Sequence, residues 1–241
     1  MLNRPERLNA VYDPIHTELE RLPRDFNRDK DARVPSSSAP DAPSAPLATS
    51  HRTETAAMAS APSLVHARHL VFNWLDCEKP VISAVNGYAM GLGATVALFA
   101  DVVIAARSAI FADTYVSMAI GAGDGGAVFW PLLIVAHRAK YYLMTGDRID
   151  AETARQLGLA QTVVADDLLL EEALGLATRL TADPVYGIAA SKVPINQYLK
   201  SVADIVLPQS LAIEEISMMH PDHQEAVAAF QEKLTANYVD R

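Results

Sequence analysis

The sequence predicts an α/β core followed by a helical subdomain, on three observations. Short apolar runs of strand length, around 81–85, 101–106, 110–112 and 162–164, alternate with helix-like segments. Glycine-bearing turns, Asn86-Gly87 and then Gly91 and Gly93, connect one such run to a helix. From Asp166 onward the pattern is almost wholly helical. The core is therefore assigned to 1–165 and the helical part, expected to serve oligomerisation, to 166–241.

In chain order, Asp13-Pro14 is a good helix start, an N-cap followed by proline at the first helical position. Val11, Ile15, Leu19, Leu22 and Phe26 recur at helical spacing, and Pro23 should kink or split the helix they form. The next segment, from Pro35 to about Leu64, is rich in Pro, Ser and Ala. It reads as a linker outside the sheet, because it has little apolar surface to offset its ordering entropy. Leu70, Val71, Trp74 and Leu75 mark one face of a second helix, which holds the only cysteine, Cys77, near its end as a buried thiol. Pro80 opens a strand, Asn86-Gly87 closes it, and Ala94 to Ala100 is helical. Asp150 caps a short helix ending at Gly158. The last helices are placed at about 167–182, 185–199, 203–219 and 222–237, with Pro221 in the first turn of the final one. Val227, Phe230 and Leu234 form its apolar stripe.

Composition excludes several function classes. At 241 residues with a formal net charge of −9, the chain lacks the basic face that nucleic acid requires. No apolar run reaches the ~20 residues of a membrane span, and the first residues lack a signal-peptide core. One cysteine excludes an internal disulfide framework and suits a reducing compartment, so a cytoplasmic location is expected. The seven histidines show no metal-ligand spacing, and no metal or bound cofactor is expected. His220 and His223 read as solvated groups at a helix start.

The chemistry centres on Lys79 to Trp130. A strand feeding a glycine turn and a helix N-terminus presents free backbone N–H groups, the basis of an oxyanion hole. The alternative is that Gly91 and Gly93 merely permit tight helix–strand packing. Asp124, in Gly123-Asp124-Gly125-Gly126, precedes an apolar helix, and either caps it or acts as an acid/base group.

The run Lys79 to Asp101, with Phe111-Ala112-Asp113, the glycines of 121–126 and Leu143-Met144-Thr145-Gly146-Asp147, resembles the crotonase superfamily of enoyl-CoA hydratases and isomerases. Leu2 to Ala10 is similar to that family's first coenzyme A-contacting segment, and the matches together span 2–34 and 66–240. The resemblance implies a spiral of strand-strand-helix units and a homotrimer or hexamer. Its substrate would be an acyl-CoA thioester, with coenzyme A entering as part of the substrate. It also implies an oxyanion donor at the Leu92 N–H, coenzyme A contacts at Arg7, Leu8 and Ala10, and a substrate pocket at Gly91, Thr95 and Trp130. Arg4 and Lys192 are further candidates for the coenzyme A phosphates.

Hydratases of the family place one Glu shortly after the glycines and another after the Phe of the next strand. Those positions hold Thr95 and Tyr115 here. That leaves Asp124 as acid/base and Tyr115 as hydrogen-bond donor, with Asp113 a weaker third candidate. Gly-Asp-Gly followed by Trp130-Pro131 is also similar to 6-oxocamphor hydrolase, which cleaves a carbon–carbon bond in a cyclic beta-diketone. A beta-diketone hydrolase and a catalytically silent crotonase-fold binding protein are therefore the alternatives. Where the family has a Val-rich strand and a Gly-rich loop with its first oxyanion donor, the chain has the Pro/Ser/Ala segment. On one choice of GC-rich codons, Pro35 onward read one frame over would spell Val-Val-Val-Gly-Ala-Gly-Arg-Ala-Phe, which makes a frame-shifted copy of that piece the alternative to a linker for 35 to about 64.

Overall fold

The computed structural model describes residues 13–33, 36–38 and 64–239. In order, α1 is Asp13–Arg28, β1 Ser36–Ser38, α2 Leu64–Leu75, β2 Ile82–Val85, β3 Tyr88–Met90 and α3 Leu92–Leu98. Then come β4 Val102–Ala106, β5 Ile110–Ala112, α4 Gly126–Ile134, α5 Ala136–Thr145, β6 Ile149–Asp150, α6 Ala151–Leu157 and β7 Thr162–Val164. The chain continues as α7 Leu169–Ala182, α8 Val185–Met219 and α9 Pro221–Glu232.

Two sheets share the strands. One is all parallel, in the order β1-β2-β4-β7, and the other runs β3-β5-β6 with β5 and β6 antiparallel. Consecutive strands go to different sheets and a helix follows, as in β2-β3-α3 and again in β4-β5-α4. This is the expected spiral of strand-strand-helix units. Parallel strands bury both faces, and β2 does so along its whole length. One core gathers α1, α2, α3, α4 and α8 around Leu70, Val71, Trp74 and Leu207. A second fills the space around Phe111, Trp130 and Ile149, and a third joins the parallel sheet to α7 through Ile82, Ile104 and Leu169.

Three expectations are corrected. Residues 36–38 are a strand, not a linker outside the sheet, with Ser36 beside Ile82 and Ser38 beside Ala84. The open edge of β2 needs N–H and C=O partners, and three proline-free residues of extended chain supply them whatever their side chains. The remainder of the Pro/Ser/Ala segment, 39–63, lies outside the described residues. Second, α8 is continuous, where a break at 199–203 was expected, because no glycine or proline interrupts Lys200 to Asp204; Pro194 and Pro208 lie inside it. Third, Pro23 does not split α1. A helix-interior proline strips the carbonyl four residues earlier of its partner, here Leu19, and the indole N–H of Trp74 donates to it at 3.1 Å. The side-chain amide of Asn73 donates to the next carbonyl, Glu20, at 2.8 Å.

Trp74→Phe therefore leaves a buried carbonyl unpaired and should cost about 1–3 kcal/mol. Chemical denaturation of the two proteins measures it. Pro23→Ala in the Trp74→Phe background should recover part of the loss, since it returns the N–H that helix geometry would pair with Leu19.

Candidate active site

The site forms where β3 and β5 end side by side. The Met90–Ala112 pairing of these parallel strands sets Gly91 next to Asp113, and the Gly91 N–H donates to the Ala112 carbonyl at 2.9 Å. Gly91 has φ 54° and ψ −127°, a conformation that a residue with a Cβ rarely adopts, and this turn aims the start of α3 away from the sheet. The Gly91 carbonyl accepts from Ala94 at 3.0 Å and Thr95 at 3.1 Å. The Leu92 N–H has no partner among the described residues, and a side chain at Gly93 would meet nothing within 4 Å. An amide without a partner at a helix mouth is what an oxyanion donor requires.

Tyr115 opens the 3-10 helix Tyr115–Met118, and its hydroxyl donates a hydrogen bond to Oδ2 of Asp124. Asp124 is 6% exposed. The N-cap of α4 is Gly125, which carries no side-chain cap, so Asp124 does not cap that helix. Its Oδ1 has no partner among the described residues, nor has Oδ2 of Asp113, whose Oδ1 accepts from the Tyr115 N–H at 3.2 Å. Burial pushes the Asp124 carboxyl up to about 6, against the lowering effect of the Tyr115 hydroxyl. Burial and then the Asp124 charge raise Asp113 to about 7, and the same two causes hold the Tyr115 phenol well above its ordinary value. At neutral pH the pair is thus a carboxylate held by a protonated phenol, a base with a built-in donor.

Thr95 is buried; its hydroxyl bonds back to the Gly91 carbonyl and its methyl lies against Gly125. Trp130 is fully buried in the second core, tilted against Tyr142, and its indole N–H has no partner among the described residues. An aromatic residue at that point of an apolar helix serves packing as readily as a pocket, and helix periodicity alone does not separate the two. Lys192 does not await a phosphate. Its ammonium donates to Asp101 at 2.6 Å and to the Lys79 carbonyl at 2.8 Å, with the side chain 9% exposed. Arg4, Arg7, Leu8 and Ala10 lie outside the described residues. His223 is bonded to the Met118 carbonyl and His220 caps α9, so neither is simply solvated.

The sequence reading missed Glu214. It is 9% exposed on α8 and lies so close to Gly123 that a Cβ there would fall 2.2 Å from its Oε2. Ser210 and Ser217 flank it on the same helix face. The Ser210 hydroxyl donates to the Gly123 carbonyl, and the Ser217 hydroxyl accepts from the Gly121 N–H. The signal was present as three polar residues at i, i+4 and i+7 on a largely apolar helix.

The chain is similar to known proteins in both sequence and fold. Residues 1–241 match the family model described as enoyl-CoA hydratase/isomerase. The chain is 30% identical over 245 residues to the 1,2-epoxyphenylacetyl-CoA isomerase of Escherichia coli (strain K12), covering 100% of this chain and 94% of that one. Among solved structures, an enoyl-CoA hydratase/isomerase from Mycobacterium paratuberculosis is similar at a TM-score of 0.85 and 31% identity, over 93% of this chain and 91% of that chain. A beta-diketone hydrolase from the cyanobacterium Anabaena sp. PCC 7120, bound to (S)-3-oxocyclohexyl acetic acid, is similar at 0.76 and 26%, over 86% and 84%.

Proposed function

The chain belongs to the enoyl-CoA hydratase/isomerase family, and we propose that it acts on an acyl-CoA thioester through an enolate. The Leu92 N–H holds the charge that develops on the thioester oxygen. Asp124 moves the proton, and Tyr115 orients Asp124 and keeps it ionised. The observation that carries this reading is the buried Tyr115–Asp124 hydrogen bond, taken with the unpartnered Leu92 amide at the mouth of α3 as the oxyanion donor. It supplies an acid/base group in a site where the family resemblance sets the two usual Glu residues at Thr95 and Tyr115. Arg7, Leu8 and Ala10 would contact coenzyme A, and Gly91 would line the substrate pocket. The buried single thiol, Cys77, supports a reducing, cytoplasmic setting.

Among the described residues no helix is long and apolar enough to cross a membrane. Ile205, Ile216, Met219, Phe230 and Leu234 are exposed on α8, α9 and the segment after it. Apolar surface of this kind supports a homotrimer or hexamer, and light scattering reads the assembly mass.

Incubation with crotonyl-CoA should give hydration or isomerisation at a rate proportional to enzyme, with saturable binding. The similarity to the beta-diketone hydrolase supports one second reading, carbon–carbon cleavage of a cyclic beta-diketone by the same Tyr115–Asp124 pair. Turnover of a cyclic beta-diketone with no crotonyl-CoA binding would select it. Neither binding nor turnover of either compound would leave a silent binding protein.

A further inference from the structure

We propose that Glu214, brought by α8 against Gly123 beside Asp124, is the second proton-carrying group of the site, the acid that complements the Asp124 base. By the family resemblance the second carboxylate position holds Tyr115, and α8 brings another carboxyl against Gly123 in the loop that carries Asp124. The placement is rigid. Ser210 and Ser217 bond the loop one helical turn before and one after Glu214, and Gly123 leaves room only because it has no side chain. No described residue hydrogen-bonds the Glu214 carboxyl, although the residue is more than nine-tenths buried.

The groups acting on it are Asp124 and Asp113, both acidic, and its own charge in turn bears on Tyr115. Charged groups on α8 and its neighbours are engaged elsewhere: Arg68 of α2 with Asp204, Lys200 with Asp76, and His223 of α9 with the Met118 carbonyl. Burial first, then Asp124 and Asp113, raises Glu214 to about 9, while Asp124 sits at about 6. Two neighbouring carboxyls separated in this way divide into an acid and a base.

The step rests on the acyl-CoA reading above. Asp124 takes a proton from water as the water oxygen bonds to the β-carbon of the enoyl thioester. The double-bond electrons move onto the thioester oxygen at the Leu92 N–H. The enolate then collapses and the α-carbon takes the proton of Glu214, and the proton on Asp124 passes to Glu214 to reset the pair. One water is added across one double bond, with no oxidant or reductant.

Glu214→Gln keeps the shape and removes the proton. On crotonyl-CoA it should lower kcat by ~100-fold, within the range of general acid catalysis, with KM little changed and the alkaline limb of the pH profile lost. A kcat within about twofold of wild type with that limb intact overturns the proposal. Thermal melting of the free protein gives a readout that needs no turnover. A carboxyl raised from 4.5 to about 9 stabilises the fold fully below its ordinary value. That contribution is lost as pH rises toward and through about 9. The wild-type melting temperature should therefore fall over this window more steeply than that of Glu214→Gln, and equal slopes overturn the proposal. If wild type is inert on crotonyl-CoA, the acyl-CoA reading fails and the melting slopes still decide whether Glu214 holds the proton. Should Glu214→Gln not fold, Asp124→Asn serves: losing the adjacent charge must shift the alkaline fall to lower pH, and an unmoved fall contradicts the pairing.

Discussion

Asp124→Asn should lower kcat on crotonyl-CoA by ~10²–10⁴-fold while KM changes far less, because a base acting in the transition state adds little to ground-state binding. The asparagine accepts the Tyr115 hydrogen bond and leaves the loop in place, so the melting temperature below the titration range should stay near that of wild type. The sign of the pH effect follows from burial. Asp124 must be ionised to take a proton, and its carboxyl sits at about 6. Wild-type activity should therefore rise with pH through that value, and the variant should lose this limb. Initial rates between about pH 5 and pH 8 test it. Undiminished hydration by Asp124→Asn would remove the residue from the chemistry and return it to a structural part.

Leu92→Pro should be nearly as damaging, by another route. Proline is well tolerated at the first position of a helix, which Leu92 occupies in α3, so the backbone can persist without the N–H. Losing one oxyanion donor costs roughly 2.7–4 kcal/mol of transition-state stabilisation, or ~10²–10³ in kcat. Leu92→Ala keeps the amide and removes the same buried side chain, so it separates packing from donation. The alanine variant should retain most of kcat and lose stability, whereas the proline variant should lose kcat beyond that. Equal kcat in the two would show that the amide does not face the reacting oxygen.

The fold was legible where the chain used residues with local rules. Asp150 accepts from the Thr153 N–H and Gly158 ends α6 in the left-handed region, both as the spacing indicated. Leu70, Val71, Trp74 and Leu75 are buried along one face of α2 as their periodicity required. Where the outcome depended on a distant partner, local rules failed. Pro23 lies inside an unbroken helix because Trp74, far along the chain, satisfies the carbonyl it frees. The three serines of β1 are held by an edge of β2 that their own composition does not reveal. β3 was missed because three residues after a glycine turn carry too little periodicity to register.

The candidate site divides in the same way. Asp124 stood out because glycines flank it on either side, whereas the oxyanion role of Leu92 came through family resemblance. Tyr115 was placed only through family resemblance, and its contact with Asp124 is a tertiary fact. Glu214 follows Asp124 by most of a subdomain, and nothing local to it announces that Gly123 lies against it. Lys192 misled because a cation near a family ligand position is as easily taken up by a carboxylate, here Asp101.

The account depends most on the unpartnered amide at the mouth of α3. Titrating the ¹⁵N-labelled protein with crotonyl-CoA and following the Leu92 amide proton tests it most directly. The account predicts a downfield shift that saturates with binding and is larger than those of the neighbouring Ala94 and Thr95 amides, which are already bonded to Gly91. Saturable binding that leaves the Leu92 resonance unmoved would contradict it.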